Sequence, residues 1–228
     1  STVAFAKEKG MVVIGDIKRG DIGSTAEAYA AHISPVDIFG VPTDIWREDF
    51  ITVSAYMGMD SLEPFARKAE ETGKGIFVLV KTSNPGGADV QDLAIQDADA
   101  VNEILLYERV GKLAELAGAR LIGKCGYSSV GAVVGATHEK EGARLRDLLP
   151  RTFFLVPGFG AQGASAEGLR GFFDVNGGGA AVNSSRGITC AWKELPLSPE
   201  EIDADALAVA VRSAAVAMKG SLESVLGQ

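Results

Sequence analysis

The residues best suited to chemistry fall in one short segment, Gly15-Asp16-Ile17-Lys18-Arg19-Gly20-Asp21-Ile22-Gly23-Ser24-Thr25. The apolar run Met11-Val12-Val13-Ile14 precedes it and predicts a buried parallel strand over residues 11–16. Asp16 and Lys18 are two residues apart, so an extended backbone turns both to one face. Asp21 follows on the loop, within reach of the same lysine. Two carboxylates around one ammonium are costly to maintain unless they act. The plain alternative is a salt-bridged loop with Asp21 near the start of the next helix.

Two further groups of residues suit ligand binding. Gly158-x-Gly160-x-x-Gly163 follows an apolar strand and matches the dinucleotide pattern. That pattern requires an acidic residue at the end of the next strand, whereas here the strand ends Asn183-Ser184-Ser185-Arg186. A glycine-rich turn presenting backbone N–H groups to an anion fits better. Arg186, with Gln162 in the glycine turn, would supply the bidentate charge that a phosphate site needs; otherwise it is a surface arginine. Thr82-Ser83-Asn84-Pro85-Gly86 offers hydroxyl and amide donors at a strand end, suited to a planar heterocycle or sugar, but equally to a capped turn. His32 and His138 stand singly and read as structural, His138 at a helix start. No cluster has convincing metal-ligand spacing.

The elements that must position these groups recur along the chain. Buried-strand patterns cover residues 11–16, 50–55, 75–82, 130–136, 152–156 and 180–184. Helical patterns cover 24–31, 61–72, 100–117, 139–149 and 165–173, and an Ala/Val/Leu-rich helix over 199–226 closes the chain on the outside of the sheet. Ser24 with Glu27 has the form of a capping box, and Gly73, Gly118 and Gly177 sit where helices would stop. Residues 31–49 read as a long surface excursion, and 118–129 as a loop leading into the fourth strand. Repeated strand–helix units predict a parallel sheet in a single α/β domain spanning 1–228. A (β/α)8 TIM barrel needs roughly 30 residues per unit, so six units leave about two unaccounted for. An open doubly wound sheet is the alternative. Polar motifs after five of the six strands favour the barrel, where strand ends share one rim.

Composition narrows the class. The chain has 228 residues, 46% hydrophobic and 23% charged, enough for a sizeable core. A net charge of −8 argues against a general nucleic-acid surface. No apolar stretch approaches membrane-spanning length. Cys125 and Cys190 lack metal or redox spacing and read as reduced thiols of a cytoplasmic protein. The first residues read as the end of a helix stopped by Gly10, so the chain opens in mid-architecture, as a fragment or processed product would.

The segment Asp16-x-Lys18-x-x-Asp21-Ile22 resembles the signature of orotidine 5′-phosphate decarboxylases. Thr82-Ser83-Asn84-Pro85, Pro157-Gly158-Phe159-Gly160-Ala161-Gln162-Gly163 and Val182-Asn183-Ser184-Ser185-Arg186-Gly187 resemble that family's later motifs, in its longer bacterial subgroup. The resemblance implies a (β/α)8 barrel, active as a homodimer with a shared site and no metal or organic cofactor. It implies conversion of orotidine 5′-phosphate to UMP and CO2 in de novo pyrimidine synthesis. Lys18 would then protonate C6, with Asp16 against the departing carboxylate. Asp21 would serve the neighbouring subunit's site, with Ile22 and Thr25 near the ribose. Ser83 would read the pyrimidine edge, while Gln162 and Arg186 hold the phosphate. The family also uses an aspartate from a first strand and a lysine from a second, and neither strand is found here. The expectation is therefore an upstream segment in the natural protein, and a chain that alone is inactive or insoluble.

Three alternatives remain open on the sequence. One is a sister Mg-dependent sugar-phosphate decarboxylase or hexulose-phosphate synthase, which shares Asp-x-Lys-x-x-Asp. A second is a non-catalytic homologue that only binds nucleotide. A third, weaker one is a generic phosphate-binding barrel such as an isomerase.

Overall fold

The computed structural model describes residues 2–96, 103–160 and 163–227. Helix α1 (Thr2–Glu8) ends in a turn in which the Met11 N–H reaches back to the Ala6 carbonyl at 3.0 Å, with Gly10 at φ 72. That turn binds Met11 to the helix end, and the Asp49 carboxylate takes the Val13 N–H at 2.7 Å. Met11 and Val12 therefore stay exposed, and strand β1 runs over Ile14–Arg19 rather than 11–16. The shift places Asp16 and Lys18 inside the strand. Helix α2 (Gly23–Ala30) follows with Ile22 as its N-cap and no side-chain cap bond. The expected Ser24/Glu27 capping box is absent, because Glu27 pairs with Arg67 of the next helix.

The excursion over 31–49 contains a feature unseen in the sequence. After a short turn of 3-10 helix (Ala31–Ile33), β2 (Val36–Ile38) and β3 (Val41–Thr43) form an antiparallel hairpin. Phe39 and Gly40 at its tip both have positive φ, as a two-residue hairpin turn compatible with strand twist requires.

Strand β4 (Phe50–Val53), helix α3 (Met59–Thr72, stopped by Gly73 at φ 68) and strand β5 (Gly75–Lys81) restore the βα repeat. Beyond β5, a short helix α4 (Ala88–Gln91) leads to an antiparallel ribbon of β6 (Ala94–Ile95) and β7 (Ile104–Leu105). The expected helix over 100–117 instead begins at Leu106, giving α5 (Leu106–Ala117); residues 100–102 lie outside the described ones. Its start is fixed by the Glu108 carboxylate, which accepts the Leu105 N–H at 3.0 Å. The loop over 118–129 is confirmed as a loop, apart from a single bridge between Ile122 and Ser128.

Strand β8 (Val130–Val134), helix α6 (Glu139–Leu148), strand β9 (Phe154–Pro157) and strand β10 (Ala180–Asn183) complete the sheet. Between β9 and β10 the expected α-helix is a 3-10 segment, Glu167–Phe172. Its glycines at 168 and 171 explain the difference. A Cβ at Gly168 would lie 1.9 Å from Glu139, and one at Gly171 2.6 Å from Ala143, both on α6. A three-residue period aligns both glycines on that helix, as 3-10 geometry allows. Gly177 therefore stops no helix and lies in the turn after Asp174. After β10 come α7 (Ser185–Thr189) and, from a cap at Asp203 rather than at 199, α8 (Ala204–Leu226).

All six long strands are parallel, in the order β1-β4-β5-β8-β9-β10. Every crossover thus moves the same way along the sheet. A doubly wound sheet reverses direction at a switch point; a barrel does not. The fold is a six-stranded parallel half-barrel, consistent with part of a (β/α)8 barrel, and the doubly wound alternative is set aside. Ile51, Val53, Ile76, Val78, Val130, Ala132 and Val134 meet Leu62, Phe65 and Leu145 in one core. Each fully buried Leu, Ile or Phe contributes about 1.5–3 kcal/mol. Phe50, Phe77, Phe153 and Tyr127 form a separate aromatic row, with ring centroids 5.1, 6.5 and 5.5 Å apart in turn.

Candidate active site

Because the strands are parallel, their carboxyl ends share one rim. At β1 the Lys18 ammonium lies 2.6 Å from Asp16 Oδ2. Thr52 of β4, almost wholly buried, donates its hydroxyl to Asp16 Oδ1 at 2.9 Å and accepts the Lys18 N–H at 2.9 Å. Lys18 itself has φ 48, at a register irregularity between Gly15 and Arg19. A left-handed lysine costs about 1–2 kcal/mol, and such strain gathers at functional sites. Both side chains of the pair are more than half exposed, at 53% and 62%, so the pair adds little to stability. Its charges remain open to a ligand.

Asp21 does not complete the expected second clasp on Lys18. Its carboxylate accepts the N–H of Ile22 at 2.8 Å, which turns the chain into α2. Ile22 and Thr25 are exposed at the start of that helix.

At the exit of β5, Thr82 is held from two sides. Its N–H donates to Gln91 Oε1 at 3.0 Å, its hydroxyl accepts from Gln91 Nε2 at 2.8 Å, and its carbonyl lies 2.9 Å from His138 Nε2. Ser83 presses against Gly135, where a Cβ would come within 2.7 Å of the Ser83 nitrogen. Lys81, 1% exposed, pairs with Asp92 and stands 5.5 Å over the Tyr107 ring. Burial, and then the nearby Glu108 and Glu141 carboxylates, push the Tyr107 hydroxyl up to about 12.

The exits of β9 and β10 meet through a hydroxyl. Gly158, Gly160 and Gly163 have φ values of 105, 71 and 91, a turn that only glycine enters without strain. Ser184 donates to the Phe159 carbonyl within it at 2.8 Å, and Arg186 follows, exposed, in the first turn of α7. Gln162, expected in the same site, lies outside the described residues.

The structure brings Asp16 to Lys18, and the glycine turn to the Ser184–Arg186 loop. Sequence reasoning missed Thr52, whose signal was a lone hydroxyl in an apolar strand, and Gln91, whose contact spans a loop. His32 stacks on Trp46 and lies 3.2 Å from Glu48, and His138 is the N-cap of α6 with its Nε2 on the Thr82 carbonyl. Cys125 and Cys190 are free thiols. Among the described residues no helix is long and apolar enough to cross a membrane.

Comparison with known proteins gives the same assignment. Residues 1–194 match the orotidine 5′-phosphate decarboxylase / HUMPS family. The chain is 46% identical over 194 residues to the orotidine 5′-phosphate decarboxylase of Clostridium tetani, covering 85% of this chain and 62% of that protein. It is 43% identical over 222 residues to the same enzyme of Rhodopirellula baltica, covering 97% of this chain and 70% of that one. The solved structure of Leishmania donovani OMP decarboxylase superposes with a TM-score of 0.69 at 33% identity, covering 96% of this chain and 70% of its own. The chain thus spans about three fifths of the length of the Clostridium relative. The parallel half-barrel, the charged rim and these likenesses agree: this chain belongs to the orotidine 5′-phosphate decarboxylase / HUMPS family.

Proposed function

We propose that the protein is an orotidine 5′-phosphate decarboxylase, forming UMP and CO2. The observation that carries the reading is the Lys18–Asp16 pair at the β1 exit, fixed by Thr52 and open to solvent. Breaking the C6–carboxylate bond releases CO2 and leaves the electron pair on C6, where the pyrimidine ring absorbs it poorly. The Lys18 ammonium stabilises that pair and then transfers a proton to C6; the neutral amine regains a proton from solvent. Asp16 faces the departing carboxylate. Ser83 reads the pyrimidine edge, while Gln162 and Arg186 grip the phosphate, remote from C6, and supply binding energy realised in the transition state.

Asp21, with Ile22 and Thr25, completes the site of a second subunit in a cytoplasmic homodimer. An Asp21 that accepts the Ile22 N–H while Lys18 of its own chain pairs with Asp16 supports that role. No cofactor enters the scheme. The curated relatives bear the decarboxylase name, which favours this reaction over the Mg-dependent sugar-phosphate chemistry of the family's other branch.

The test uses the protein as its gene encodes it, assayed for loss of orotidine 5′-phosphate. Lys18→Ala should lower kcat by at least about 10²–10⁴-fold, the range of a lost general acid, while UMP still binds. Turnover of the Lys18→Ala protein near the parent level would refute the assignment. So would a parent protein that binds UMP without decarboxylating the substrate.

A further inference from the structure

We propose that Gln91 is a positioning residue for base recognition: it clamps Thr82 so that Ser83 is presented in one orientation at the rim. The inference rests on the reading of Ser83 as the group facing the pyrimidine edge.

Thr82 lies just past the end of the β5 ladder. The last ladder group there, the Lys81 carbonyl, is taken by the Gly135 N–H at 2.7 Å. Beyond it the backbone is held by side chains. Gln91 grips Thr82 with both ends of its amide, one on the N–H and one on the hydroxyl. His138 holds the carbonyl from the far side. The Lys81–Asp92 pair anchors the residue next to Gln91 to the residue next to Thr82. Two adjacent residues at the end of α4 are therefore tied to two adjacent residues at the end of β5.

Gly135 packs against the backbone of Ser83, where a Cβ would lie 2.7 Å from the Ser83 nitrogen. A donor fixed in this way loses little entropy when a ligand arrives. The clamp also borders a cavity of about 150 Å3 lined by Ser54, Tyr56, Thr82, Gln91, Tyr107 and Val110. A substitution at Gln91 therefore has space to be accommodated without breaking the core.

The amide bonds give opposite expectations for two near-isosteric variants. Gln91→Met preserves shape and removes both hydrogen bonds. Gln91→Glu keeps two acceptors, one for the Thr82 N–H and one for the Thr82 hydroxyl, which can turn to donate.

The experiment measures binding of UMP and of ribose 5-phosphate by calorimetry, and KM and kcat for orotidine 5′-phosphate, in the gene-encoded protein. Gln91→Met should weaken UMP, and raise KM, by about tenfold, the equivalent of one to two net hydrogen bonds. Its affinity for ribose 5-phosphate should stay at the parent value, and Gln91→Glu should behave like the parent with both ligands. Equal losses of UMP and ribose 5-phosphate in Gln91→Met would overturn the clamp, as would an unchanged UMP affinity or a Gln91→Glu protein as weak as Gln91→Met. Should Gln91→Met fail to fold, Thr82→Val, which removes the hydroxyl half of the clamp, must show the same selective loss of UMP. A parent protein that binds ribose 5-phosphate and not UMP would instead overturn the base-reading role of Ser83, and the clamp's function with it.

Discussion

Arg146 offers a direct test of how the β9 and β10 end of the sheet is supported from below. Arg146 is 7% exposed, and its guanidinium donates to four backbone carbonyls: Phe172 at 3.0 Å, Leu149 at 3.1 Å, Thr152 at 2.9 Å and Gly179 at 2.8 Å. It also lies 3.8 Å from the Phe154 ring centroid. Thr152 and Gly179 precede β9 and β10, so one side chain joins the entry ends of both strands. Arg146→Met removes all four bonds at roughly constant volume. The Leu149 carbonyl keeps the Thr152 N–H, and the Gly179 carbonyl keeps the Phe154 N–H. The Phe172 and Thr152 carbonyls lose the guanidinium, at about 1–3 kcal/mol each. The lost cation–π contact adds about 1 kcal/mol. A destabilisation of about 4 kcal/mol is expected by urea unfolding, with kcat of the folded protein unchanged, since this end of the barrel serves stability. Arg146→Lys should rescue little of it, because one ammonium cannot reach four divergent carbonyls. A loss below about 1 kcal/mol for Arg146→Met would refute the accounting, since it would mean that water replaces those bonds freely.

Three further outcomes are expected. Thr52→Val, which leaves Asp16 and the Lys18 N–H without their shared hydroxyl, should lower kcat about tenfold, and Thr52→Ser should restore it; equal kcat for both variants would deny Thr52 a part in aligning the pair. Arg186→Ala should reduce kcat/KM by about 10²-fold or more, the worth of a charge-assisted phosphate contact, and a near-normal value would contradict its assignment. The Asp174 carboxyl is held below its usual 3.8, first by the Tyr127 hydroxyl and then by the Gly178 N–H. A depressed carboxyl contributes stability above its unfolded value and loses it as pH falls through the folded one. Asp174→Asn should therefore flatten the loss of thermal stability below about pH 4, and an unchanged acid profile would count against that bond.

What the sequence made legible was whatever depends on a short stretch of chain. The strands beginning at Phe50, Gly75, Val130 and Ala180 are continuous apolar runs, as a sheet covered on both faces demands. Asp16 and Lys18 met because they are two residues apart, although Lys18 at φ 48 departs from the extended backbone that simple alternation assumes. The misreadings arose where a distant residue decides the outcome. The strand at Met11 yielded to a helix-end turn and to Asp49, and Glu108 sets the start of α5 at Leu106. The 3-10 segment at Glu167 follows from the surface of α6, which no local periodicity reveals. Gln91 and Thr52 were illegible for the same reason, since each acts on a partner in another element.

The hidden contacts share a chemical character that bears on function. At the rim the charged pair and the glycine turn are held by neutral side chains: Thr52 holds Asp16 and the Lys18 backbone, and Ser184 holds the glycine turn. A neutral donor orients a group without cancelling its charge, so the field of the Lys18–Asp16 pair remains available to a charged ligand. At the opposite end the guanidinium of Arg146 gives four of its five N–H donors to backbone carbonyls. The ends of this half-barrel are thus built by different rules. Thr52→Asp, which would add a second charge beside Asp16, should therefore impair turnover more than Thr52→Val, although aspartate retains hydrogen-bonding capacity at that position. Equal turnover for the two variants would show that charge at the rim is not being conserved for the substrate.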